Sequence, residues 1–111
     1  MEIKEKQVDG VTVLTLTGSI DAMTAPKINE FIQAHIAMGN LKLIADMSGV
    51  DYTSSAGLRV LLGAIKETRS QSGDLRLTGV QPNVQKVLTL SGFTNILKLF
   101  QTLEAAIASY S

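Results

Sequence analysis

The residues of this sequence best suited to chemistry are three consecutive hydroxyl side chains, Thr53, Ser54 and Ser55. They come just before a run of helically spaced leucines, so we expect them at the N-terminus of a helix. One interpretation is capping, because Ser and Thr side chains accept hydrogen bonds from the free N–H groups of a first helical turn. The other is a phosphate site, because the same N–H groups and the helix dipole stabilise an added phosphate. Spacing alone leaves both interpretations open.

A catalytic serine is the weaker interpretation of this segment. A hydroxyl needs an adjacent base to become a nucleophile, and the segment lacks the leading glycine of the hydrolase nucleophile elbow. The single histidine, His35, falls on the apolar face of a predicted helix, where we expect it to pack at the edge of the core. The chain has no cysteine and no phosphate-binding loop motif. We therefore expect no enzymatic activity, no metal site and no cofactor.

Composition excludes further classes of function. The 111 residues include ten basic and ten acidic side chains, so the basic excess typical of nucleic-acid binding is missing. No apolar run is long enough to span a membrane. The first residues are charged and lack the apolar segment of a secretory signal, which predicts a cytoplasmic protein. The length predicts one domain over residues 1–111.

The elements that must position the hydroxyl side chains alternate along the chain. The pattern predicts an α/β fold in the order β-β-α-β-α-β-α-β-α, with an N-terminal hairpin turning at Asp9-Gly10 and a mixed, mainly parallel sheet packed with four helices. We expect strands over residues 2–8, 11–17, 41–45, 75–80 and 96–100. Thr24 is the predicted cap of the first helix. Loops are predicted over Gly18–Met23 and Asp46–Ser55. Since both loops follow parallel strands, we expect them to meet at one edge of the sheet.

Residues in and around these loops are candidates for a binding surface. Asp21 is expected to be a loop carboxylate that accepts nearby N–H groups. On the second helix, Arg59, Val60 and Gly63 fall opposite the buried stripe, on a face that is either solvated or a docking patch. We expect Ala56 and Gly57 to let another protein's backbone approach closely.

Other loop residues have simpler expected roles. Met23 and Met47 flank the two loops and could add adaptable apolar contact. Asp46 and Asp51 are predicted to form turns.

Four short motifs in a fixed order resemble one family over the whole chain. They are Gly18-Ser19-Ile20-Asp21, Thr24-Ala25-Pro26, the stretch from Ser54-Ser55-Ala56-Gly57-Leu58 to Leu62, and Val87-Leu88-Thr89-Leu90-Ser91-Gly92-Phe93. Together they resemble the bacterial anti-sigma factor antagonists, the stand-alone form of the domain shared with sulfate transporters (STAS). The resemblance implies a single STAS-like domain with no enzymatic activity of its own.

The resemblance also implies a phosphorylation-controlled partner switch. The unphosphorylated form would bind a serine-kinase anti-sigma factor, phosphorylation would release it, and a metal-dependent serine phosphatase would restore binding. Ser55 aligns with the usual acceptor, and Ser54 is the alternative because it stands where many members have Asp. Ala56 replaces a second Ser or Thr. The resemblance puts Asp21 beside the acceptor, where it could help position the kinase's nucleotide and metal.

The expected surroundings of the phosphosite form one set. They are Asp21, Thr53, Ser54, Gly57, Arg59, Val60 and Gly63.

Two alternatives to the switch stay open. The protein could be a constitutive STAS interaction module whose serines only cap a helix, or a small-molecule or nucleotide sensor that does not act on a sigma factor.

Overall fold

An antiparallel hairpin opens the fold in the computed structural model, which describes residues 1–111. Strand β1 (Glu2–Val8) pairs with β2 (Val11–Ile20) from Val8↔Val11 to Glu2↔Thr17. Asp9 and Gly10 connect them with φ angles of 52° and 78°. These positive values are those of a tight hairpin turn, so the predicted Asp-Gly turn is confirmed.

The remaining strands are parallel to β2. Their bounds are Lys42–Thr53 for β3, Asp74–Thr78 for β4 and Leu99–Phe100 for β5. The sheet has the order β1-β2-β3-β4-β5, and only β1 is antiparallel. The predicted mixed, mainly parallel sheet is confirmed. Because β2 to β5 run in one direction, their carboxyl ends share one edge of the sheet.

Four helices cover the sheet and divide the core in two. Their bounds are Ala25–Ala37 for α1, Ser55–Ser70 for α2, Pro82–Leu90 for α3 and Leu103–Ala108 for α4. A cluster of 21 buried residues includes Leu43 of β3 and side chains of α1, α2 and α3. A cluster of four includes Ile44, the next residue of β3, and Ala106 of α4. Since consecutive strand residues point to opposite faces, α4 lies across the sheet from the other three helices.

Strands extend into both predicted loops. β2 continues through Gly18 to Ile20, and β3 continues from Asp46 to Thr53. The expected loop over Asp46–Ser55 is therefore wrong for most of its length, and the expected loop over Gly18–Met23 is wrong for its first half and confirmed for Asp21 to Met23. Register shifts between Thr15 and Thr17 and between Gly18 and Ser19 explain the error, because bulges break the period-2 alternation that marks a strand.

A buried carboxylate holds the C-terminal residues of the chain in place. This region lies away from the hydroxyl residues Thr53 to Ser55. Asp74 is 4% exposed and accepts from the side chains of Arg69 (2.9 Å) and Arg76 (3.1 Å). The Arg76 guanidinium lies 4.0 Å from the ring centroid of Tyr110. The Tyr110 hydroxyl donates to the backbone carbonyl of Leu43 at 2.7 Å. These contacts fix the C-terminal residues against β3 and β4.

No helix combines the length and apolar character needed to cross a membrane.

Candidate functional site

The carboxyl ends of β2 and β3 bring the candidate residues together. Ile20 pairs with Thr53 at the end of the two strands. The next residue, Ser54, donates its N–H to the Ile20 carbonyl at 2.8 Å. Asp21 follows Ile20 directly, so the turn into α1 lies beside the start of α2. The predicted meeting of these two segments at one sheet edge is confirmed.

Ser54 and Ser55 have different roles at the start of α2. Ser54 is the N-cap with extended backbone (ψ 174°), and its Oγ accepts the Gly57 N–H at 3.4 Å. Ser55 is the first helical residue and is exposed. The capping interpretation therefore applies to Ser54. The Ser55 hydroxyl is not the capping group and is accessible to another protein.

Thr53 and Gly57 lie beneath the site instead of on its surface. Both are buried. A Cβ at Gly57 would lie 2.4 Å from Thr53 Oγ1 and 2.6 Å from Ile20 Cγ2. Gly57 thus allows α2 to approach its own sheet. The expectation that it admits another protein's backbone is wrong, because the space above it is filled by this chain.

Asp21 forms the turn that leads into α1. Its Oδ1 accepts the N–H groups of Met23 and Thr24, each at 2.9 Å. The Thr24 N–H, followed by that of Met23, lowers the pKa of the Asp21 carboxyl below its ordinary value, because hydrogen bonds to a carboxylate favour its charged form. Asp21 therefore places a fixed negative charge near the start of α2. Of its two expected roles, the structural one as an acceptor of nearby N–H groups is confirmed.

Thr24 occupies the predicted N-cap position of α1, but its side chain does not cap the helix. Instead its Oγ1 accepts the Asp21 N–H at 2.9 Å and donates to the Ser19 carbonyl at 3.0 Å. The hydroxyl is held by the turn before the helix, where two backbone groups of the bend need partners.

The candidate surface residues differ in their exposure. Arg59 and Gly63 of α2 are exposed, as expected. Val60 is half-buried and packs against the main core, so it contributes little free apolar surface. Met23 is 87% exposed, whereas Met47 is fully buried. The expected surface role of Met47 is wrong, because the extension of β3 turns its side chain into the core.

Asp46 and Asp51 lie in β3 and not in a loop. Asp46 accepts the N–H (3.1 Å) and the hydroxyl (2.8 Å) of Ser48 and so holds the bulged part of the strand. Asp51 Oδ1 accepts the hydroxyl of Ser19 on the neighbouring strand at 2.8 Å. Asp51 is thus a cross-strand partner, and its predicted role in a turn is wrong.

Tyr52 is a surface residue that the motifs did not indicate. It is 51% exposed and lies two residues from the cap of α2. Tyrosine is enriched at energetically important positions of protein interfaces. The sequence does carry a signal for Tyr52, because an aromatic residue stands directly before the three hydroxyl residues in an otherwise polar segment.

The one histidine cannot act on the serines. His35 is buried in the last turn of α1, against Glu5 and Asn40. It lies ten residues beyond Ala25, or roughly 15 Å along the helix axis. The expected packing of His35 at the edge of the core is confirmed. No three side chains of His, Asp or Glu converge in a way that could hold a metal ion.

Comparison with known proteins agrees with this geometry. The profile of the STAS domain matches residues 2–106. BtrV of Bordetella bronchiseptica is 32% identical over 110 residues, which cover 99% of this chain and 95% of BtrV. The anti-sigma-B factor antagonist of Listeria monocytogenes is 31% identical over 99 residues, covering 89% of this chain and 86% of that protein.

A solved structure with the same fold is the Bacillus cell fate determinant SpoIIAA in its phosphorylated form. It superimposes with a TM-score of 0.77 at 23% identity, covering 99% of this chain and all of SpoIIAA (100%). The matches extend over nearly the whole chain, including both strand ends and the start of α2. The chain therefore belongs to the STAS-domain family of anti-sigma factor antagonists, which are regulatory binding proteins and not enzymes.

Proposed function

We propose that this protein works in a phosphorylation-controlled partner switch in the cytoplasm. The unphosphorylated form binds a serine-kinase anti-sigma factor, and phosphorylation of Ser55 breaks that complex. A metal-dependent serine phosphatase returns the protein to its binding form. The observation that carries the proposal is the exposed Ser55 hydroxyl on the first residue of α2, beside a cap supplied by its neighbour.

The surroundings favour Ser55 over Ser54 as the acceptor. Ser54 is half-buried, its N–H is bonded to Ile20, and its Oγ accepts the Gly57 N–H. To enter a kinase active site, Ser54 Oγ would have to leave this cap. Ser55 has no part in that bond, so its hydroxyl can enter a kinase active site without disturbing the helix.

The protein acts as a substrate in the phosphoryl transfer. Ser55 Oγ would take the γ-phosphoryl group of ATP, while the hydroxyl proton passes to a base and ADP leaves. His35 is buried at the far end of α1 and cannot take this proton, so we assign the base to the kinase. The proposed kinase partner supplies this base together with the nucleotide.

A phosphate on Ser55 would change the local charge strongly. The chain has a formal net charge of zero, and a phosphoserine adds roughly −1.5 to −2 charges at neutral pH. The free N–H groups of α2 favour this charge. Arg59 lies four residues further along the same helix and is exposed, a spacing at which opposite charges attract. The phosphate can thus be held against the helix, while its added charge opposes a partner that docked on the unmodified surface.

Phosphorylation in vitro tests the acceptor. The purified chain is incubated with ATP and the serine-kinase anti-sigma factor from the same organism, and the phosphopeptides are identified by mass spectrometry. We expect one phosphate on Ser55 in the wild type and in the matched control Ser54→Ala, and none in Ser55→Ala. A wild-type chain that stays unmodified, or carries its phosphate on Ser54, contradicts the proposal.

Binding measurements test the switch itself. In calorimetry with the anti-sigma factor, Ser55→Ala should bind like the wild type but persist as a complex when ATP is added. Ser55→Asp should bind at least about tenfold more weakly, a loss of at least about 1.4 kcal/mol, since a charge buried without a partner at an interface is costly. Equal affinity of both variants would instead favour a constitutive interaction module. A rise in melting temperature with nucleotide alone would favour a sensor.

A further inference from the structure

The second half of β3 lacks a neighbouring strand on one side. β4 pairs with β3 only over Lys42–Asp46 and ends at Thr78. β3 itself continues to Thr53, where β2 still pairs with it on the other side. Such a strand edge leaves backbone carbonyls without ladder partners. This free edge leads directly to Ser54 and Ser55.

The beginning of α3 occupies the position that a strand would take. The side-chain amide of Gln81 donates to the Ser48 carbonyl at 2.8 Å. The side-chain amide of Asn83 donates to the Asp51 carbonyl. Two carbonyls of the free edge are thus bonded by side chains at the N-terminus of a helix.

Close packing brings α3 to this edge. Gly79, between β4 and α3, has φ +68°, and a Cβ there would lie 2.9 Å from Ser48 Cβ and 3.1 Å from Ser48 N. The turn therefore lies directly against β3 and requires glycine. Val84, in the first turn of α3, is fully buried and anchors the helix in the core. The two amide groups are consequently presented from a fixed support.

Asp51 is held from both sides. Its carboxylate accepts the Ser19 hydroxyl of β2 at 2.8 Å, and its carbonyl accepts the Asn83 amide of α3. Asp51 lies four residues before Ser55, with no flexible segment between them, since β3 ends at Thr53 and α2 begins at Ser55. A displacement of this part of β3 would therefore move the acceptor.

We propose that Gln81 and Asn83 are positioning residues for the phospho-acceptor. Their amides hold the free edge of β3 so that the Ser54 N–H stays on the Ile20 carbonyl and Ser55 keeps its place at the start of α2. This role rests on the proposed function of Ser55 as acceptor. It makes α3 part of the phosphosite, although no hydrogen bond joins α3 to Ser55.

The test uses substitutions that keep the shape of both side chains and remove their donors. In the double variant Gln81→Glu/Asn83→Asp, carboxylates replace the amides and cannot donate to the two carbonyls. Negative charge at a helix N-terminus favours the helix, so α3 itself should remain folded. The matched control is Gln101→Glu/Asn95→Asp, which makes the same change in charge at exposed residues outside this edge.

Hydrogen exchange tests whether the two amides hold the free edge of β3 in place, and it needs no partner protein. We expect the N–H of Ser54 to lose protection by about tenfold or more in the Gln81→Glu/Asn83→Asp variant, because its bond to Ile20 depends on the position of β3. Amides of α3 and of the main core should keep theirs, and the control variant should match the wild type. Unchanged protection of the Ser54 N–H would overturn the proposal.

Kinase kinetics measure the consequence for the acceptor. The same double variant should lower the kcat for phosphorylation of Ser55 by roughly tenfold, since small displacements of a reacting group have effects of this size. KM should change by less than about twofold, as expected for a loss of positioning rather than docking. Lost protection with an unchanged kcat would overturn the positioning role. If the wild type accepts no phosphate at all, the proposed function fails. Hydrogen exchange still decides whether the two amides hold the free edge of β3.

Discussion

Replacing Gly57 by alanine should destabilise the protein even though alanine is the better helix former. Gly57 lies in the first turn of α2, at the closest approach of the helix to the sheet. The new Cβ would lie 2.4 Å from Thr53 Oγ1 and 2.6 Å from Ile20 Cγ2, where ordinary contacts begin near 3.4 Å. Both neighbours are almost completely buried, at 2% and 1% exposed, and cannot turn aside into solvent. The start of α2 therefore has to move by nearly 1 Å.

Two opposing terms set the magnitude. Overpacking a rigid core costs about 1–3 kcal/mol, and the size of this overlap favours the upper end. The gain in helix propensity from glycine to alanine is about 1 kcal/mol. We expect a net loss of about 2 kcal/mol, which corresponds to a melting temperature lower by about 8 °C in a chain of this size.

The same helix supplies the control. Gly63 is exposed, and a Cβ at that position has nothing within 4 Å. Gly63→Ala should therefore keep the propensity gain and raise the melting temperature by about 2–4 °C. The two variants make an identical chemical change and should shift stability in opposite directions.

Thermal and urea unfolding followed by circular dichroism will measure both shifts. The cause of the loss can be assigned by combining Gly57→Ala with Thr53→Ala, which removes the atom nearest to the new Cβ. The double variant should be more stable than the sum of the two single effects by about 1 kcal/mol. A melting temperature of Gly57→Ala at or above that of the wild type would refute the reasoning.

Three further predictions concern the serine pair, the C-terminus and the turn before α1. Ser54→Ala should lower the free energy of unfolding by about 0.5 kcal/mol, because its cap is a long hydrogen bond, whereas Ser55→Ala should leave it unchanged; urea unfolding measures both. Tyr110→Phe should cost about 1 kcal/mol. Burial raises the pKa of Tyr110 above its ordinary value, so the unfolded chain releases this proton first, and wild-type stability should fall above about pH 10 more steeply than that of the variant. The pKa of Asp21 is lowered by hydrogen bonds, so its contribution is present above about pH 4 and is lost on acidification; Asp21→Asn should show a shallower loss in unfolding curves recorded between pH 6 and pH 2.

Local sequence signals were sufficient for the order of the elements. Asp9-Gly10 has the backbone preference of a hairpin turn, and the leucines of α2 repeat with the helical period, so each element could be recognised from its own residues. The alternation of strands and helices then required parallel pairing. The meeting of the β2 and β3 ends followed from that topology.

The details of the site depended on contacts between distant residues. Met23 and Met47 both border the hydroxyl-rich region, yet the first is exposed and the second is fully buried. The difference in exposure arises from the pairing of β3 with β2. Because bulges interrupt the alternation of side chains along β3, a sequence pattern based on alternation cannot predict it. The role of Gly57 likewise depends on Ile20, which lies 37 positions earlier in the chain and meets it only in the folded state.

Under the proposed function, the division of roles at the start of α2 would separate folding from signalling. The Ser54 hydroxyl caps α2, and the Asp21 carboxylate accepts hydrogen bonds in the turn beside it. Gly57 lies where α2 packs against the sheet. Ser55 is surrounded by these fixed groups but has no part in the cap. A phosphate there can change the charge of the surface at little cost in folding free energy, since the groups that hold the strand ends together remain in place. The physical effect of the modification would then fall mainly on the complex with a partner, and the fold would stay ready to bind again once the phosphate is removed.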